Sequence, residues 1–167
     1  MKYKIGIVSI VLLLSVFGLS ADEKEKLPDF KLADQKGKVF SSSTVKGNMY
    51  FLLGCGFKDV ILCRKHGRKI YWKMQTLLKD EDRVIFSAYL NLKNAPSEVF
   101  DYILQEKKKD YESILLDKKG ILSNGLAEGK SFLRVYSPKG MLIHKEYFES
   151  VDDAKVSELY KLIRSGK

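Results

Sequence analysis

The sequence predicts an α/β sandwich, a mixed β-sheet flanked by helices on both faces. Three observations carry that expectation. Two continuous apolar runs, "MYFLL" at 49–53 and "RVIFSAYL" at 83–90, read as strands buried on both faces. Each is followed by a segment whose apolar residues recur at spacings of three and four, the pattern of a crossover helix. The chain then closes with two alternating runs around "SPKG" and a last amphipathic helix, adding an antiparallel hairpin to the parallel strands.

Element by element, the chain opens with the basic stretch "MKYK", the thirteen-residue apolar run "IGIVSIVLLLSVF" and the small-residue boundary "GLSADEKEK". Gly18 and Ser20 satisfy the small-x-small rule for cleavage after Ser20, so residues 1–20 are expected to be a signal peptide or, if uncleaved, a membrane anchor. The protein is accordingly expected to be exported, to the periplasm or cell envelope. The folded domain is expected over 27–165, and with 45% apolar residues it can form a core without metals or several disulfides.

Residues 30–33 and a second short run flank the turn "DQKG". "MYFLL" lies between Gly47 and Gly54, and Asp59 stands where it can cap a helix over about 60–79. The apolar stripe of that helix passes through Val60, Cys63, Gly67, Ile70, Tyr71, Met74, Leu77 and Leu78, and Gly67 suggests close packing on the sheet. "SEVFDYILQEKK" is an amphipathic helix capped by Ser97, with Val99, Phe100, Ile103 and Leu104 inward. "YESILLD" is a short strand, "KKGILSNGLAEGK" is glycine-rich and irregular, and "SFLRVYSPKGMLIHKEYF" is the hairpin. In "DDAKVSELYKLIRS", Asp152 or Asp153 caps and Val156, Leu159, Tyr160 and Ile163 face inward.

The net charge is +9, and loss of Lys2 and Lys4 with the leader would leave +7. The basic clusters "RKHGRK" and "KKK" are not interleaved with aromatic residues as a nucleic-acid platform requires, so no nucleic acid is expected and the clusters read as solvated faces. No phosphate-binding loop, nucleophile elbow, zinc-protease helix or paired C-x-x-C occurs.

The chemistry-bearing residues gather in "MYFLLGCGFKDVILCRKHGRK" at 49–69, which holds both cysteines and His66. Several readings stay open there. Cys63, on the apolar stripe, suits a buried small hydrophobe. Cys55, in "GCG", is expected to be the more exposed of the two. They can form the one available disulfide, and Cys55 and Cys63 are also the redox candidates, although no C-x-x-C sits at the helix start to lower a thiol pKa. Cys63 and His66, at i and i+3, are the weak metal candidates, with Arg64, Lys65, Arg68 and Lys69 opposing a cation. "F-x-x-V-x-x-C" lacks the hydroxyl and arginine partners of a peroxidatic cysteine. His144 reads as an exposed strand residue.

Four segments carry a family resemblance: "LPDFKLADQKGKVFSSSTVKG", "YFLLGCGFKDVI", "VIFSAYLNLKNAPSEVFDYI" and "SFLRVYSPKGML". In order and spacing, over about 120 residues, the chain resembles the thioredoxin-like superfamily, and within it the Sco/SenC branch of copper-handling and redox proteins. That resemblance implies a thioredoxin-like (Sco/peroxiredoxin-like) fold. It also implies a replaced site. Aligned on Asp59 and Val60, the family's two copper-binding cysteines fall on Phe57 and Ile61 and the proline between them on Lys58. Its histidine ligand falls in the region of Gly129, Lys130 and Ser131. Its acidic loop falls on Tyr89 to Asn94, where no residue is acidic. The cis-proline expected near 130 or 131 is absent, and Pro138 belongs to the turn. Copper(I) prefers soft thiolates with imidazole, which phenylalanine and isoleucine do not supply.

The function expected is therefore a non-catalytic binding or accessory role for a degenerate Sco-like protein, with an envelope protein or small ligand as partner. Its surface would comprise Phe57, Lys58, Asp59 and Asn94, with "GLAEGK" beside them. No cofactor is expected, and a membrane only through the N-terminal segment. The alternative is a thiol-disulfide or copper-handling protein that relocated its chemistry to Cys55, Cys63 and His66.

Overall fold

The computed structural model describes residues 25–105 and 113–165. The expected leader over 1–20 and the expected tail of the second helix lie outside these residues. The elements run β1 (Lys31–Ala33), β2 (Val39–Ser41), β3 (Met49–Gly56), α1 (Val60–Leu77), β4 (Val84–Asn91), α2 (Ser97–Gln105), β5 (Ile114–Asp117), β6 (Ser131–Tyr136), β7 (Leu142–Phe148) and α3 (Asp153–Ser165). Strands β1 and β2 form a small antiparallel ribbon, and the other five form one sheet in the order β5-β4-β3-β6-β7. β3, β4 and β5 are parallel, while β6 runs antiparallel to β3 and β7 antiparallel to β6. This is the mixed sheet that the apolar runs and the hairpin imply.

The helices cover the sheet unevenly. The two crossovers run in the same direction along β3, β4 and β5, and right-handed crossovers of that kind place their helices on one side. On that face Met49, Phe51, Leu53 and Cys55 of β3 pack with Cys63, Ile70 and Met74 of α1 and with Val156, Leu159 and Ile163 of α3. α2 joins them through Ile103, against Leu90 of β4 and Leu116 of β5. The second face is covered by the β1–β2 ribbon, a one-turn 3-10 helix (Ser42–Val45) and the irregular segment after β5, which contribute Phe30, Leu32, Val45 and Leu122 to a core around Tyr50, Leu52, Tyr89 and Tyr136. Gly120, Gly125 and Gly129 of that segment all have positive φ, which keeps it from forming a helix.

A buried polar group lies within the second core. The Arg134 side chain, 2% exposed, donates from Nη2 to Tyr89 Oη at 2.8 Å and to the Leu122 carbonyl at 3.0 Å. Tyr89 Oη donates to the same carbonyl at 2.7 Å. Asp117, fully buried, accepts from the Ile121 and Leu122 amides at 2.9 and 2.7 Å, which gives both its carboxyl oxygens a partner and fixes the segment's start.

Four local expectations change. β3 does not stop at Gly54 but continues through Gly56, because Gly54 lies in register between Tyr89 and Phe132 and packs under the Tyr89 ring. Cys55 is therefore not exposed: as an interior strand residue on the α1 face it has no accessible surface. Asp59 precedes α1 but makes no side-chain cap, its carboxylate accepting instead from the Gly129 amide at 3.2 Å. At Gly67 a Cβ would meet only Leu53 Cδ2, at an ordinary 3.5 Å, so helix and sheet are not in the tight contact that glycine suggested.

Candidate functional site

β3 delivers Cys55 to the end of the sheet, and the chain re-enters the same core one helical turn into α1 with Cys63. Residues 63, 66, 70 and 74, at spacings of three and four, form the buried stripe of α1, so Cys63 points down onto the strand that carries Cys55. The two are joined in a disulfide with Cα atoms 6.1 Å apart. Both are closed from solvent, Cys55 at 0% and Cys63 at 4% exposure.

His66 shares that stripe. It is 2% exposed, its Nδ1 shares a 2.8 Å hydrogen bond with the hydroxyl of fully buried Ser131, and its ring stands edge-on to Phe148. Burial, and then the neighbouring Lys65 ammonium, hold its pKa below the ordinary value, so it is neutral at pH 7. In the sequence His66 stands among cationic neighbours, and the expected core stripe leaves it out. The signal that was present is the spacing itself, since a stripe drawn through 63, 66, 70 and 74 is as regular as one drawn through Gly67. Cys63 and His66 thus share one buried face, but with Cys63 oxidised it presents no thiolate. Among the described residues no three His, Cys, Asp or Glu side chains converge as a metal site.

The positions aligned with the Sco ligands are scattered. Phe57 is half-buried and packs toward Leu90 and Leu92. Ile61 is 74% exposed on the outer surface of α1. Lys130 pairs with Glu149 at 2.8 Å. Beside Phe57, however, three loops meet at the carboxyl end of the parallel strands. Phe57, Lys58, Asp59, Asn91, Lys93 and Glu128 line a cleft of about 190 Å³ there. Lys58 Nζ reaches Glu128 at 3.2 Å, and with the Asp59–Gly129 bond this ties the first loop to the third. Asn94, at φ +62°, turns the second loop just outside the cleft lining. Phe57, Lys58 and Asp59 are thus brought together, with Asn94 at the margin.

Many solved structures superpose on this chain. The thioredoxin domain of a thiol-disulfide oxidoreductase from Bacteroides vulgatus superposes with a TM-score of 0.56 at 18% identity, covering 84% of this chain and 96% of that one. The fold is thioredoxin-like. The exposed lipoprotein thioredoxin of Streptococcus pneumoniae gives 0.60 at 17% identity, covering 82% and 98%. BsSco, a member of the Sco family of cytochrome c oxidase assembly proteins in which a disulfide switch was identified, gives 0.59 at 12%, covering 86% and 94%. No protein-family model matches the chain, and no curated protein matches it. The cysteines of this chain are eight residues apart and both lie inside the core.

Proposed function

We propose that this is an exported cell-envelope protein of thioredoxin-like fold, a degenerate relative of the Sco/SenC branch, that acts by binding and uses its cysteines as an internal staple. The observation that carries this reading is the burial of both sulfurs beneath α1. Thiol-disulfide exchange requires a thiolate to approach one sulfur of the bond, and burial of Cys55 at 0% and Cys63 at 4% exposure opposes that approach. The binding surface is the three-loop cleft of Phe57, Lys58, Asp59, Asn91 and Glu128, with Asn94 at its margin, and its occupant is an envelope protein or small ligand.

A second reading has one specific observation in its favour. The two cysteines are joined in a disulfide, and the fold is shared with proteins named as thiol-disulfide oxidoreductases, such as the one from Bacteroides vulgatus. If α1 opened, the pair would exchange.

Reduction of the native protein separates the two. Dithiothreitol is added to folded protein, and thiols are trapped with an alkylating agent and counted by intact mass over time. The binding reading expects a bond that survives until denaturant is added and no acceleration of insulin reduction. Rapid reduction in the folded state, with insulin turnover, would overturn it in favour of the redox reading.

A further inference from the structure

Between α1 and the sheet lies a cavity of about 170 Å³ that neither reading uses. Its walls are Phe51, Leu53, Ile70, Phe86, Ile114 and Leu133, Cys63 borders it, and Arg64 and Arg68 of α1 line its rim. The space exists because the positions facing it between these large residues are small, namely Gly67, Ala88 and Ser113. Close-packed cores seldom leave such a void unfilled.

Gly67 supplies an independent observation. Glycine inside a helix is destabilising relative to alanine, and it persists where backbone conformation or contact forbids a side chain. Neither applies at this position. Gly67 does not have a positive φ, and a Cβ there would make only ordinary contact with Leu53. What the missing side chain does preserve is the volume of the cavity.

We propose that this cavity is a binding site for a small amphiphilic carboxylate. Its aromatic or branched aliphatic body would fill the apolar chamber, and its carboxylate would meet the guanidinium groups of Arg64 and Arg68. The chamber matches cavities of roughly 150 Å³ that hold benzene, and the planar guanidinium fork suits a carboxylate. The inference rests on the binding reading for its kind of function, but on a different site from the loop cleft.

The test uses the mature, oxidised protein with ¹³C-labelled methyl groups, titrated with 3-phenylpropionate and with the neutral 3-phenylpropan-1-ol. Saturable shifts are expected at the methyls of Leu53, Ile70, Ile114 and Leu133, with the alcohol bound about tenfold more weakly. Gly67→Ala is expected to melt about 2–4 °C higher and yet to bind phenylpropionate at least about fivefold more weakly. That opposition is one a purely structural glycine would not produce. Arg64→Gln/Arg68→Gln should lose the preference for the acid and keep the affinity for the alcohol. Absence of methyl shifts up to about 10 mM, which corresponds to negligible affinity, would overturn the site. Shifts confined to the loop cleft would overturn it while leaving the binding role standing. Equal affinity for acid and alcohol would overturn the anionic class, and undiminished binding by Gly67→Ala would overturn the role given to the glycine.

Discussion

Gly54 sits where the Tyr89 ring crosses β3, and a Cβ built there would overlap Cζ and Cε1 of that ring. Tyr89 cannot swing aside, because it is fully buried and its hydroxyl is held by Arg134 and the Leu122 carbonyl. Gly54→Ala is therefore expected to lose about 3 kcal/mol in urea unfolding, and less when combined with Tyr89→Leu than the two changes sum to separately. In the sequence "LLGCGF" this glycine is indistinguishable from a turn residue, since the ring that demands it lies 35 positions further on. His66 was obscured in the same way by its charged neighbours. Its lowered pKa means that the unfolded chain takes up a proton before the folded one does. Its contribution to stability is thus complete above the ordinary value of 6.5 and is lost as pH falls from there toward the folded value. The melting temperature is expected to fall between pH 7.5 and 5.5, and the fall should be smaller in His66→Gln, which can still meet Ser131.

Among the elements, the two long helices begin differently although both are preceded by aspartate. At α3 the Asp152 carboxylate accepts from the Lys155 amide at 2.8 Å, a true N-cap, and Asp152→Ala is expected to cost about 1 kcal/mol by thermal or urea unfolding. At α1 the Asp59 carboxylate is spent on Gly129, so Asp59→Ala should leave helix stability nearly unchanged and instead speed amide exchange over 127–130. Sequence alone offers the same signal in both places. What decides between them is whether another loop presents a competing amide, and only the folded molecule supplies that. The strands and the hairpin were legible for the opposite reason. Runs such as "MYFLL" and alternation such as that of β7 follow from which faces are buried, a property the local pattern already encodes. The cover of the second sheet face was not legible, because it is built from loop, ribbon and a single 3-10 turn without periodicity.

For the whole molecule, the disulfide closes a loop of eight residues, and the chain-entropy effect of a loop that size is about 2.5 kcal/mol. Protein reduced in denaturant and refolded as the dithiol is expected to unfold in urea with a stability lower by about that amount, with its far-UV spectrum unchanged. The candidate site was legible only as a neighbourhood. The sequence placed both cysteines, Phe57 and Asp59 in one stretch, but not the fact that β3 runs on through "GCG" and takes Cys55 into the core. That burial has a temporal consequence. On the staple reading, α1 settled onto the sheet slows exchange at the buried pair, so its state is set largely while the chain is still open and is afterwards preserved. The bond then serves as a postmark. Mature chain that folded in a reducing cytoplasm should keep two thiols through purification in air, whereas chain that folded in an oxidising compartment should carry the bond, and alkylation in denaturant followed by intact mass would read from one sample where each molecule reached its native state.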